Sequence, residues 1–365
     1  MTLSNRRGEP RQGSRQRLDL NLRKVLRDNA PHRVGFLGPE AVRPNGLSTI
    51  DRAVAELPAP VQTGRDAVNA AEGFVHPEYL VETGWLAAHL DDPKLVVLDC
   101  TTHLIPDPKI TYTVQPGRGD FETAHIPGAQ FVDLQADLSD NTGRHGKLRF
   151  MLPSAADFAA AMGRFGVGDD GRVVLYSTAS PQWATRVWWM LRNYGFDNAA
   201  VLDGGLPKWL REGRPVETGA ARARPAARFT VRADRHLMVG KEEVLAAIGD
   251  SGVCTLNALS AQQHTGSGGN VYGRVGRIAK SANVPAASLL DSETNTFLPA
   301  AALRAKFDAI GAFDKKQVIT YCGGGIAASA DALALVMLGH PDVRLYDASM
   351  SEWSNDESLP METGD

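Results

Sequence analysis

The sequence predicts an α/β protein of two duplicated domains, each a parallel sheet flanked by helices. Three observations predict it: continuous apolar, β-rich runs alternating with helix-forming stretches, an internal repeat at a spacing of about 145 residues, and a triple glycine directly after one strand. The same features divide the chain. Residues 1–74 read as a disordered extension, 75–219 as a first domain, 220–228 as a linker rich in Ala, Arg and Pro, and 229–365 as a second domain.

The extension stands apart by composition. Met1–Arg17 is rich in Arg, Gln, Ser and Gly, shows no sustained apolar periodicity, and lacks the apolar core of a secretory signal. In the first domain, Leu95-Val-Val-Leu-Asp99, Val173-Val-Leu-Tyr176 and Ala200-Val-Leu202 read as strands, with helices over Ser154–Phe165 and Trp183–Tyr194. Strands apolar on both faces need helices on both sides. The second domain repeats the first: Phe150-Met-Leu-Pro matches Thr296-Phe-Leu-Pro, and Val173-Val-Leu-Tyr-Ser177 matches Val318-Ile-Thr-Tyr-Cys322. Leu202-Asp-Gly-Gly-Leu-Pro-Lys-Trp209 matches Tyr346-Asp-Ala-Ser-Met-Ser-Glu-Trp353, and both copies close on Glu-Thr-Gly, at 217–219 and 362–364.

Composition removes several function classes. Of 365 residues, 43% are hydrophobic and 22% charged, which is ordinary for a globular chain. A formal net charge of −3 argues against a nucleic-acid platform or a membrane-surface protein. No apolar run approaches the roughly 18–20 residues that span a bilayer. The three cysteines, Cys100, Cys254 and Cys322, are an odd set without metal-type spacing. They suit a reducing, cytoplasmic setting better than a disulfide framework, and neither metal nor cofactor is expected. Cys100 and Cys254 belong to buried strands and read as core.

Cys322 differs. In Gln317-Val-Ile-Thr-Tyr-Cys-Gly-Gly-Gly-Ile-Ala-Ala-Ser329 it closes a strand, precedes three glycines and stands before a helix. Open α/β sheets bind ligands beyond the carboxyl ends of their strands. Backbone N–H groups of Gly323, Gly324, Gly325, Ile326 and Ala327 can surround an anion there, and the helix N-terminus favours a thiolate. Ser177 holds the matching place in the first copy, where a hydroxyl without a dedicated base is a weak nucleophile. The first domain is therefore expected to be non-catalytic.

These residues resemble the tandem-domain rhodanese-type sulfurtransferases, which include thiosulfate and 3-mercaptopyruvate sulfurtransferases. The resemblance runs through Ala124-His-Ile-Pro-Gly-Ala129, Arg186-Val-Trp-Trp-Met190 and Leu202–Trp209 in the first copy. In the second it runs through Ser281-Ala-Asn-Val-Pro285, Thr320-Tyr-Cys-Gly323 and Tyr346–Trp353. It implies two rhodanese-like domains and a two-step reaction. The Cys322 thiolate would take the outer sulfur of a small-molecule donor as a persulfide and pass it to cyanide, a thiol or a thioredoxin-like protein. It also implies His125 as a catalytic partner, and Arg274 and Arg277 as cations that grip the donor. Asp120 is the nearest acid for His125 by position, and Gln263 stands where the family has a second substrate arginine. Arg186 and its tryptophans read as packing between domains.

The loop departs from the family pattern. Thiosulfate-type loops carry basic residues after the cysteine, and mercaptopyruvate-type loops carry a serine two positions on; here both places are glycine, Gly323 and Gly324. An uncharged loop with an arginine outside it fits a carboxylate donor held away from the reacting sulfur, so 3-mercaptopyruvate is expected over thiosulfate. Two other functions fit parts of the pattern. A tandem module could relay sulfur or bind a protein without catalysis. A cysteine phosphatase would need an arginine at the loop's end, where Ile326-Ala-Ala-Ser offers none.

Overall fold

The computed structural model describes residues 73–107 and 111–364, so the extension expected over 1–74 lies almost wholly outside the described residues. The first domain contains β1 (Leu80–Val81), α1 (Thr83–His89), β2 (Leu95–Asp99), β3 (Thr102–Asp107), β4 (Thr111–Pro116), α2 (Arg118–Thr123), β5 (Gln130–Phe131) and α3 (Leu134–Asp137). It continues with α4 (Ala155–Arg164), β6 (Arg172–Tyr176), α5 (Gln182–Asn193), β7 (Ala199–Leu202) and α6 (Gly205–Arg211). The second contains β8 (Met238–Val239), α7 (Lys241–Ala247), β9 (Val253–Asn257), α8 (Ala261–Thr265), β10 (Arg277–Ile278), β11 (Ala282–Asn283) and α9 (Ala300–Asp308). β12 (Gln317–Tyr321), α10 (Ala328–Met337), β13 (Val343–Tyr346), α11 (Ser349–Trp353) and β14 (Met361–Glu362) complete it.

Each domain is built on a five-stranded parallel sheet, ordered β1-β7-β6-β2-β5 in the first and β8-β13-β12-β9-β11 in the second. The two orders are the same walk through equivalent strands, so the sequence repeat is a repeat of topology. β6 and β12 sit at the centres, apolar on both faces because helices cover both. Ser154 starts α4 by accepting the Asp157 N–H at 3.1 Å, which is why that helix begins one residue later than the apolar pattern suggests. The antiparallel hairpin β3–β4 has no counterpart among the described residues of the second copy and was not evident from the apolar periodicity.

Helices α5 and α10 pack on each other where the domains meet, and both are almost wholly buried. A helix buried on every side needs cover on every side, and here the other domain supplies part of it. One apolar cluster runs through both domains, including Leu175, Val187, Leu333 and Cys322. Thr185 and Ser329 hydroxyls meet across it at 2.6 Å. Two carboxylates fasten the halves reciprocally. Asp347 Oδ2 accepts the Leu152 N–H at 2.8 Å, and Asp203 Oδ1 accepts the Phe297 N–H at 2.9 Å.

The linker and the residues after it lie along the first domain. Ala227 N–H donates to Gly163 O at 2.9 Å, Phe229 packs on Phe158 and Phe196, and Arg232 and Arg235 N–H groups reach Tyr194 and Asn193 carbonyls. Residues 229–237 thus serve as a strap on the first domain, and the second sheet starts at β8.

Candidate active site

Cys322 follows the last residue of β12, the central strand, and α10 begins six residues on. The loop between them is pinned from outside. Ser349 Oγ accepts the N–H groups of Cys322 and Gly325, each at 3.1 Å, and donates to Tyr346 O at 2.7 Å. Ser349 holds a left-handed φ of +52°, a conformation with a cost for any residue bearing a Cβ, and its first-copy counterpart is Gly205 at +55°. Met350 N–H donates to Cys322 O and Ser351 N–H to Gly323 O, at 3.0 and 2.8 Å. With these contacts made, the N–H groups of Gly323, Gly324, Ile326 and Ala327 meet no acceptor among the described residues. Such unpaired donors can hold an anion formed at a sulfur in the loop.

Arg186 braces the same loop from the first domain. It is fully buried and donates to Gly325 O at 3.2 Å, Phe150 O at 2.6 Å and Asp347 Oδ1 at 2.6 Å. The packing role expected of it is therefore specific: a guanidinium fork joining both domains behind the loop. Its contacts fall on carbonyls and a carboxylate, so it does not supply the interior cation of a phosphatase loop.

The other sequence-predicted residues do not gather at Cys322. His125 is buried, stacks on Phe121 with ring centroids 3.8 Å apart, and places Nδ1 2.7 Å from Phe121 O. Its Nε2 is 4.0 Å from Glu217, and all these partners belong to the first domain. Asp120 is not its partner; it pairs with His103 at 2.6 Å, which holds the His103 pKa up. Arg274 donates to the carbonyls of Trp353, Ser354, Asp356 and Leu359, closing the loop after α11. Arg277 bonds Gly364 O and lies 3.6 Å from Glu362. These two arginines are spent on backbone and on the β10–β14 pair, so a donor-gripping role has no geometric support. Gln263 caps α8. Cys100 and Cys254 are core thiols, and burial pushes the Cys254 pKa up to about 11.

A cavity of about 190 Å³ opens beside the loop, lined by Tyr112, Lys147, Arg149, Phe150, Val271, Tyr272, Gly324 and Ser351. Its walls come from both domains. Of these residues only Gly324 was expected at the site from sequence, because an exposed Lys-Leu-Arg segment looks like any solvated surface.

A profile of the rhodanese-like domain matches residues 82–212 and 241–356, one match per sheet. The chain belongs to the rhodanese family of sulfurtransferases. It is 33% identical over 293 residues to the 3-mercaptopyruvate sulfurtransferase of Escherichia coli strain K12, covering 78% of this chain and 98% of that one. It is 32% identical over 308 residues to the mitochondrial thiosulfate/3-mercaptopyruvate sulfurtransferase 1 of Arabidopsis thaliana, covering 78% of each. The crystal structure of SseA from Escherichia coli superposes with a TM-score of 0.65 at 31% identity, covering 74% of this chain and 98% of that one. As a tandem-domain rhodanese enzyme, the chain transfers sulfane sulfur. No helix among the described residues is long and apolar enough to cross a membrane.

Within this rhodanese frame Ser177 stands where the second copy has Cys322. Ser177 Oγ donates to Ser180 O at 2.5 Å, so its hydroxyl is tied to its own turn.

Proposed function

We propose that Cys322 is the sulfur-carrying nucleophile and that the donor is 3-mercaptopyruvate or thiosulfate. The observation that supports this is the Cys322 loop: a thiol directly after the central strand, in a loop whose N–H groups at Gly323, Gly324, Ile326 and Ala327 meet no acceptor among the described residues. In the first step the thiolate attacks the donor's outer sulfur. With thiosulfate the S–S bond breaks and sulfite leaves with the electron pair. With 3-mercaptopyruvate the C–S bond breaks, and pyruvate leaves after its enolate takes a proton. In the second step a thiol, cyanide or a thioredoxin-like dithiol attacks the persulfide and the Cys322 thiolate returns. The unpaired N–H groups of the loop hold negative charge in both forms. A reducing compartment such as the cytoplasm suits the three free thiols.

The test is incubation of wild type and Cys322→Ser with each donor, followed by intact-protein mass spectrometry and turnover with cyanide or a thiol. Wild type gains one sulfur atom and turns over; the variant does neither. A wild-type protein that gains no sulfur from either donor, or a variant that still turns over, defeats the reading.

A further inference from the structure

Both proposed donors are anions, yet the loop that meets them is uncharged from Gly323 to Ala327. The arginines expected to compensate, Arg274 and Arg277, are bonded elsewhere. The reason the loop has no cation at 323 is visible. A Cβ built on Gly323 would fall on the Tyr272 ring, so this tyrosine occupies the space a loop side chain would need. Gly324 is different: a Cβ there would find only Ser351 Oγ, at 3.7 Å, and it faces the cavity.

That cavity carries the missing charge. Lys147 and Arg149 line it from the first domain, and no carboxylate is among its lining residues. Neither cation has an acidic partner among the described residues; the Arg149 guanidinium lies 5.7 Å from the Tyr112 ring centroid. Two phenols complete the lining. Burial pushes the Tyr112 and Tyr272 pKa values up, and proximity to Cys322 contributes in the same direction. Both therefore remain O–H donors at neutral pH. Two cations without an acidic partner among the described residues, and two neutral donors beside an open glycine, form a site for a small oxyanion.

We propose that Arg149 and Lys147 hold the anionic group of the sulfur donor, a carboxylate or a thiosulfonate, over Gly324. The first domain then supplies the charge that the catalytic loop lacks. This rests on the sulfur-transfer reading. It places donor recognition across the domain interface and away from the residues the family resemblance suggested.

The experiment compares Arg149→Gln, Lys147→Gln and the double variant with wild type, in steady state, with each donor. Arg164→Gln, an exposed first-domain arginine away from the cavity, is the control. A lost charge-assisted contact lowers kcat/KM by about 10- to 100-fold, chiefly through KM. A second readout needs no turnover: protection of Cys322 from alkylation by iodoacetamide in the presence of sulfite or pyruvate, which weakens in the variants. Loss with 3-mercaptopyruvate and pyruvate identifies a carboxylate site; loss with thiosulfate and sulfite identifies a thiosulfonate site. A double variant with wild-type kcat/KM and protection overturns the proposal. A wild type that forms no persulfide defeats the sulfur-transfer reading instead, so the two failures are distinguishable.

Discussion

Replacing Arg186 with methionine removes the brace behind the Cys322 loop, and the structure sets the size of the effect. The guanidinium is buried and donates to three oxygens, Phe150 O, Asp347 Oδ1 and Gly325 O, and to the Met238 sulfur at 3.7 Å. Without it, the Asp347 carboxylate stays buried with the Leu152 N–H as its remaining protein partner. Hydrogen bonds to charged groups contribute about 1.5–3 kcal/mol each, but the guanidinium's own desolvation offsets much of that sum. Breaking a buried pair from one side costs about 3–5 kcal/mol, and that is the expected loss. Asp347→Asn keeps an acceptor for Leu152 and costs less. The double variant Arg186→Met/Asp347→Asn loses less than the two single losses together, by about 1–3 kcal/mol, because the stranded charge is gone. Urea unfolding followed by tryptophan fluorescence measures all three, and trypsin cleavage reports loosening between the domains. A single-variant loss below about 1 kcal/mol, or strict additivity in the cycle, refutes the argument.

Three further outcomes follow from buried or crowded positions. Burial raises the Asp203 pKa from 3.8 to about 7, so the folded protein binds its proton more tightly than the unfolded chain. Stability from this group is complete below about pH 4 and is lost as pH rises through about 7; Asp203→Asn, which keeps the acceptor for Phe297, flattens the urea midpoint between pH 5 and 8. Asp331 is fully buried with no hydrogen-bond partner for either oxygen among the described residues, and burial raises its pKa well above the ordinary range. Asp331→Asn removes the cost of protonating this carboxyl on folding, at nearly constant size, and raises stability by about 1–3 kcal/mol at neutral pH, a gain that vanishes in acid; equal midpoints at all pH values contradict this. Gly324→Ser leaves the melting temperature near wild type, whereas Gly323→Ala costs about 1–3 kcal/mol and Tyr272→Ala relieves it, since the clash is with that ring. Melting curves of the two single variants and the double variant decide it.

Local pattern carried the strands and the reactive loop into view. Val318-Ile-Thr-Tyr followed by Cys322 and three glycines reads as strand, turn and helix from backbone chemistry alone, and the repeat made Ser177 its match. What the pattern lacks is direction. His125 lies in a recognisable segment, but only the fold shows its ring lying flat on Phe121. Arg274 beside glycines reads as a ligand clamp, whereas four carbonyls of its own domain consume it. The contacts that matter most join residues far apart in sequence, such as Leu152 with Asp347 and Arg186 with Gly325. No short window of sequence contains both ends of such a bond. Lys147 and Arg149 escaped for a related reason: a cation becomes a binding group through the cavity it faces.

Arg186 lies nine residues after Ser177, and Asp331 lies nine residues after Cys322, so the two hold one address in the duplicated plan. The occupants have opposite charge. Only the first copy supplies a guanidinium at that address, and it reaches carbonyls and a carboxylate of both domains. Asp331 offers no such donor, and its oxygens meet no hydrogen-bond partner among the described residues. The two copies are therefore not interchangeable: this brace runs one way, from a first-domain helix to the loop of the second domain.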